Sequence, residues 1–323
     1  MSLLKVNNLK THFFTPFGTV RAVDDISFEM ESSVALGLAG ESGCGKTTAA
    51  YSLMNLVPLP GRIVGGQINF KGKNIVEYNE NQLRDLRWKE ISMVFQGAMA
   101  SLNPLYTIGD QISEPIIYHE DADKKEGWKR AEELLELVGI EAARVDNYPW
   151  ELSGGMRQRA MIAMALACNP SLLIADEPTT ALDVIVSAQV MDLIKNLRKK
   201  LDLSMLLITH DISVIAQTCD ELAIMYAGKL VEKTDVPTIF KTPLHPYSNA
   251  LIKAFPNIKG KKKKLSSIPG SPIDLIAPPL GCRFAPRCPF AQPLCFEDEP
   301  ILDQIEKNHF IACHFWEDIQ SKR

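Results

Sequence analysis

No apolar run in this chain approaches the roughly 20 residues that a helix needs to span a bilayer, so membrane work is expected of partner chains. Residues Met1 to Lys10 hold no basic region followed by an apolar block, which leaves no secretory signal to read and predicts a cytoplasmic protein. Positive charge is not in excess. With 35 Lys and Arg against 39 Asp and Glu, the net charge of −4 argues against a surface built to hold nucleic acid. No segment repeats at the spacing of solenoid proteins. Cysteine is sparse: seven residues in 323, kept mostly reduced in a cytoplasmic setting.

What is present reads as a globular chain. The 46% hydrophobic and 23% charged residues are ordinary for that class, and the length suits one large domain plus an appendage. Up to about Thr234, apolar runs alternate with helical patterns, as in a layered α/β domain. From Val236 onward prolines cluster, a basic run spans Lys259 to Lys264, and four of the seven cysteines arrive together. That reads as a tail module on Pro- and Lys-rich linkers. The apolar runs Ser33 to Ala39, Leu172 to Ala175 and Met205 to Ile208 predict buried strands, and Lys46 to Val57 and Met156 to Ala167 predict helices. Trp128, Ala131, Leu134, Leu135 and Val138 recur at helical spacing, as do Val190, Leu193, Ile194, Leu197 and Leu201. Glu221 to Tyr226 and Lys229 to Lys233 flank Ala227-Gly228 and predict a hairpin. Core packing accounts for these stripes; they serve to place the motifs.

The run Gly40-Glu41-Ser42-Gly43-Cys44-Gly45-Lys46-Thr47, with Thr48 after it, fits the phosphate-loop pattern G-x-x-x-x-G-K-[ST]. Its glycines let the backbone curl until successive N–H groups face an anion. The helix beginning near Lys46 turns its positive end to the same point. Lys46 supplies a charge for the β- and γ-phosphates, and Thr47 a hydroxyl for Mg²⁺. A second half-site follows. Leu172-Leu173-Ile174-Ala175-Asp176-Glu177 is an apolar strand delivering two carboxylates to its carboxyl end, where open α/β sheets bind ligands. Asp176 is the candidate Mg²⁺ holder and Glu177 the general base.

Four further segments carry a family resemblance. Leu152-Ser153-Gly154-Gly155-Met156-Arg157-Gln158 resembles the signature motif of ABC transporter ATPases; Phe95-Gln96 resembles their Q-loop, Ala181-Leu182-Asp183 their D-loop, and Thr209-His210-Asp211 their switch histidine. The resemblance covers the first three-quarters of the chain. It implies an α/β P-loop NTPase (RecA-like) core with an antiparallel β subdomain and an α-helical signature subdomain at about 100–165. The ATPase domain would span 1–235 and a small irregular C-terminal module 236–323. It also implies a head-to-tail pair of ATPase subunits, homo- or heteromeric, in which Ser153, Gly154 and Gly155 face the nucleotide in the partner's loop. Asp183 belongs to the same nucleotide-facing set, His210 contacts the γ-phosphate, and Gln96 touches Mg²⁺. Phe17 stands where the family places an aromatic on adenine, with Phe13 and Phe14 as competitors and strand packing as the plain alternative.

His245-Pro246-Tyr247, Leu251 and Pro256, then Gly281-Cys282-Arg283-Phe284-Ala285-Pro286-Arg287-Cys288-Pro289, resemble the tail of oligopeptide/dipeptide importers. Gly97-Ala98-Met99, directly after the Q-loop, departs from the commoner Asp/Glu-Pro-Met. Met156 in place of Gln looks like the first of the two ATPases such importers carry. The implied partners are a second ATPase subunit, two transmembrane permeases and, indirectly, an extracytoplasmic binding protein, with no nucleic acid; the implied place is the cytoplasmic face of the membrane. Peptide, nickel and oligosaccharide cargoes all stay open, as does a soluble ABC ATPase acting on DNA or ribosomes. Such soluble proteins carry a coiled-coil insertion or a second cassette, and neither is here. A metal-sensing protein with secondary hydrolysis is the third class. Cys282, Cys288, Cys295 and Cys313 are separated by five, six and seventeen intervening residues, wider than zinc knuckles and unlike either common ferredoxin pattern. Four reduced buried thiols, zinc and a 4Fe–4S cluster are the readings; the resemblance supports the cluster. Arg283 and Arg287 are expected to offset its negative charge.

Overall fold

The computed structural model of the chain describes residues 2–97, 101–254 and 268–321. The basic run Lys259 to Lys264, Pro256 and the pair Ala98-Met99 lie outside the described residues. The chain divides into two compact units. One comprises Met1–Met30, Ala35–Val76 and Thr209–Arg323; the other comprises Glu31–Val34 and Glu77–Ile208.

The first unit is built on two sets of strands. Strands β1 (Ser2–Thr15), β2 (Gly18–Glu31), β4 (Gly61–Phe70) and β5 (Lys73–Asn74) lie in the order β2-β1-β4-β5. β1 and β4 run antiparallel with Val6 opposite Ile68. The register shifts between Asn7 and Lys10, and Asn8 adopts a left-handed φ of 47°. That bulge moves the buried set from Leu4 and Val6 to Leu9 and Thr11, a change of phase that one extra residue imposes. The second set runs β11 (Asp303–Glu306), β12 (His309–Ile311), β10 (Lys229–Asp235), β9 (Glu221–Tyr226), β3 (Ala35–Ala39). β3 and β9 are parallel, with Ala39 opposite Ile224. β9 and β10 form the expected hairpin, turning through Ala227 and Gly228 at φ 47° and 84°. Tail strand β12 pairs with β10, Glu232 opposite Ile311, so the cysteine-bearing tail continues this sheet.

In the second unit β6 (Ile91–Val94), β7 (Leu172–Asp176) and β8 (Ser204–Ile208) are parallel neighbours with every residue buried. Covered faces on both sides explain why they read as unbroken apolar runs. Helices Glu80–Leu86, Ile108–His119 and Lys124–Leu137 each open with a capping box: Asn79 with Gln82, Thr107 with Asp110, Asp123 with Glu126. Lys124–Leu137 buries Ala131, Leu134 and Leu135, three of the residues that gave it a helical stripe.

Several boundaries differ from expectation, two of them with a plain local cause. The helix after the phosphate loop ends at Leu53 instead of Val57, because Asn55 turns left-handed at φ 49°. The helix expected from Met156 begins at Gly154, because the Ser153 hydroxyl accepts the Met156 N–H at 3.3 Å and caps it there.

Candidate functional site

The phosphate loop leaves β3, fully buried, and enters helix Lys46–Leu53. Two of its glycines are required by neighbouring backbone. At Gly40 (φ 155°) a side chain would sit 2.1 Å from the Met225 carbonyl oxygen; at Gly45 (φ 103°) it would sit 2.0 Å from that of Ala22. The Gly228 N–H donates to the Cys44 carbonyl at 2.9 Å, so the β9–β10 hairpin backs the loop. Lys46 is buried, its ammonium donating to the carbonyls of Gly40 (2.8 Å) and Glu41 (3.0 Å). Cys44 is buried, and burial raises its thiol pKa, so it stays neutral.

Glu41, an unspecified position of the loop pattern, is gripped on both sides. Its backbone N–H donates to the Tyr247 hydroxyl at 2.9 Å. Its carboxylate receives both ends of the Arg287 guanidinium, Nη1 to Oε2 at 2.6 Å and Nη2 to Oε1 at 2.9 Å. Those bonds hold the arginine's proton more firmly than usual. Arg283 in turn pairs with Asp24 and donates to the Ala227 carbonyl. Both guanidinium groups are therefore engaged by carboxylates outside the cysteine cluster, not by the thiolates they were expected to balance. The signal for this was the Cys-Arg…Arg-Cys run; the partners, more than 240 residues away, left none.

In the second unit β7 delivers Asp176, fully buried, and then Glu177 at a left-handed φ of 45°. The Glu177 N–H donates to the Ile208 carbonyl at 2.8 Å, which fixes that turn. Its Oε2 accepts from Gln96 Nε2 at 3.2 Å and from the Thr180 hydroxyl at 3.0 Å. Two expected site residues thus meet. Asp183 caps helix Val184–Leu201 through bonds from Ile185 and Val186 N–H, both 3.0 Å. Ser153 is exposed at the start of helix Gly154–Ala165, while a side chain on Gly155 would meet Val186 at 2.6 Å. Val184 and Ile185 are also exposed, 86% and 72%. A cleft of about 1250 Å³ opens among Trp88, Phe95, Tyr106, Gln111, Tyr118 and Met164, beside the residue preceding Gln96.

In the first unit His210 is exposed, just before helix Ile212–Thr218, which Asp211 caps. The aromatic competitors separate. Phe13 packs against Gly61 and Phe14 lies under the Arg62 guanidinium at 4.3 Å, whereas Phe17 is 88% exposed at the β1–β2 turn.

Cys282, Cys288, Cys295 and Cys313 come together, lining one small apolar cavity with His245, Phe284 and Phe315. Burial pushes the Cys282 thiol up to about 11 and that of Cys313 up to about 12. Both are protonated at neutral pH, and a metal would have to displace those protons. Among the described residues no group of three or more His, Cys, Asp or Glu is arranged to hold a metal ion. Four thiols are the donor type that both zinc and iron–sulfur centres take. The cavity, at about 20 Å³, is water-sized, so thiols must separate to admit a cluster.

Residues 23–180 match the family described as ABC transporter, and residues 231–295 the family described as oligopeptide/dipeptide transporter, C-terminal region. The chain is 46% identical to the oligopeptide transport ATP-binding protein AppD of Bacillus subtilis, over 98% of each chain. It is 46% identical to a probable peptide ABC transporter ATP-binding protein, y4tR, of Sinorhizobium fredii, over 96% of this chain and 94% of that one. With the dipeptide transport ATP-binding protein DppD of Escherichia coli the identity is 43%, over 98% and 97%. Among solved structures it resembles a dimeric bacterial ABC transporter cassette, at TM-score 0.65 and 26% identity, over 72% of this chain and 98% of that one. The same likeness extends to a post-hydrolysis dimer of a cassette bound to ADP and Pi, at TM-score 0.64.

Proposed function

The chain belongs to the ATP-binding subunits of ABC transporters, in the branch with the oligopeptide/dipeptide C-terminal region, and from that membership we propose how its residues do their work. It binds and hydrolyses ATP to power an importer, with di- or oligopeptides as cargo. In domain terms 1–235 is the ATPase domain, its helical part about 100–165, and 236–323 is the importer-type extension.

The backbone N–H groups from Gly40 through Thr48, including Ser42, Gly43, Cys44 and Gly45, take the phosphate oxygens, and Lys46 neutralises them. Phe17 stacks on adenine, since Phe13 packs on Gly61 and Phe14 lies under Arg62 while Phe17 is the most exposed of the three. Glu177 accepts a proton from water as the water oxygen bonds to the γ-phosphorus and the bond to the β–γ bridging oxygen breaks. ADP and phosphate leave. His210 holds the water and γ-phosphate in line. Thr47, Gln96 and Asp176 are the residues that would hold Mg²⁺, each through oxygen, and the ion would supply charge to offset that of the phosphates.

The nucleotide site is completed by a second ATPase subunit. Ser153, Gly154 and Gly155 present the amino end of a helix to the partner's γ-phosphate, with Asp183 and the exposed Val184 and Ile185 at the same contact. The aromatic cleft beside Phe95 receives a segment of a transmembrane permease, and Gln96 relays the state of the site to it. That docking holds the subunit at the cytoplasmic face, and the binding protein acts through the permeases. The four tail cysteines ligate a 4Fe–4S cluster of structural role, tested by iron content near four per chain after anaerobic purification.

The observation that carries the reading is the Gln96–Glu177 contact at the end of β7, one residue after the buried Asp176. Glu177→Gln is the test. ATP binding should persist while turnover falls at least roughly a hundredfold, the scale of a lost general base; near-normal hydrolysis with the partner present would sink the assignment. For the shared site Ser153→Arg is the cleaner variant, because Gly155→Asp would press on Val186 within its own unit. Turnover should be lost while the chain's own loop still binds ATP.

A further inference from the structure

A carboxylate is an odd neighbour for a loop that gathers phosphates. Glu41 directly follows Gly40, and an anion there repels the charge that the backbone N–H groups and Lys46 attract. The tail answers it. Arg287 is buried, its fork closed on both Glu41 oxygens, its Nε donating to the Pro269 carbonyl at 2.7 Å and its Nη1 reaching the Tyr226 hydroxyl at 3.3 Å. The guanidinium also lies over the Tyr226 ring at 5.6 Å. With four of its five N–H donors engaged it is held in one orientation, a constraint that a lysine could not impose. Tyr247, fully buried, takes the Glu41 N–H. Side chain and backbone of Glu41 are thus fixed from two points of the tail.

We infer that Arg287 is a positioning residue for the phosphate loop, cancelling the Glu41 charge and holding the loop's first turn for nucleotide. The inference rests on the reading that this loop binds ATP. It makes the extension a working part of the ATP site instead of an appendage beside it.

The test is equilibrium binding of ATP with a fluorescent ribose label, with magnesium, to the full-length chain, alongside thermal melting and steady-state kinetics. Arg287→Gln should weaken binding by at least about tenfold, a loss of roughly 1.4 kcal/mol, and raise KM for ATP more than it lowers kcat. Arg287→Lys, which keeps the charge and loses the fork, should fall between. The deciding variant is the double change Arg287→Gln with Glu41→Gln: with the unbalanced anion gone, most of the lost affinity should return. If the double variant binds as weakly as Arg287→Gln, or if Arg287→Gln binds like the parent, the inference is overturned while the ATPase reading stands. A parent chain that binds no ATP overturns both.

Discussion

Strand β7 and the cysteine tail are both buried, yet they are held by opposite physics. β7 is Leu172, Leu173, Ile174 and Ala175 leading to Asp176, all covered, and its stability is apolar surface removed from water. The tail buries Arg283, Arg287 and His309, each against a carboxylate from elsewhere: Asp24, Glu41 and Glu232. Glu232 is the centre of that set. It accepts from Leu244 N–H at 2.9 Å and His245 N–H at 3.0 Å, and meets His309 Nε2 at 3.0 Å. The apolar residues of the first region, Leu172 to Ala175, carry no charge for pH or salt to act on. The second depends on charges that are costly once a partner is removed.

The largest effect should come from β7. Ile174→Ala should cost about 4 kcal/mol, the transfer loss plus the cavity left behind, with a stability–pH curve parallel to the parent's. Urea unfolding at several pH values measures it, and a cost that changes between neutral and acid would break the contrast.

Glu232→Gln should cost about 3 kcal/mol, as a buried pair loses one partner, and should also change the curve's shape. Burial alone would raise the Glu232 carboxyl; hydrogen bonds from His309, Leu244 N–H and His245 N–H outweigh it and hold it below the ordinary 4.5. As pH falls the unfolded chain takes up this proton first. The contribution is therefore whole above about 4.5 and lost as pH drops through the lower folded value. The Gln variant should lack that part of the acid limb; an unchanged limb would mean the carboxylate is not what holds the tail.

The smallest effect belongs to Lys229 and Glu299, an ion pair whose glutamate is 41% exposed. Glu299→Gln should cost under about 1 kcal/mol and vanish in high salt. A larger, salt-resistant loss would move this rim pair into the same class as Glu232.

The contrast also explains what the sequence made legible. β7, β8 and the β9–β10 hairpin announce themselves because burial on both faces demands consecutive apolar residues and a tight turn demands Ala227-Gly228 or its like. The phosphate loop is legible because its glycines answer to local backbone contacts. Arg287 reaching Glu41, or β12 choosing β10, has no period and no local cause. A guanidinium can satisfy itself with any carboxylate the fold brings near, and a three-residue strand carries too little pattern to name its neighbour. Even His245-Pro246-Tyr247, noticed as a resemblance, hid its physics. His245 Nδ1 accepts the Tyr247 N–H at 3.0 Å to start helix Pro246–Lys253, and Tyr247 then reaches the loop.

The pairing of β12 with β10 bears on how this protein can be cut. A chain shortened after Lys253 keeps every nucleotide motif, yet it uncovers a row of backbone donors and acceptors along β10 that β12 now satisfies. Such a bare border recruits strands from other molecules. The shortened chain should therefore self-associate and precipitate, and an active fragment would need a charged or proline-bearing β10 to stay dispersed.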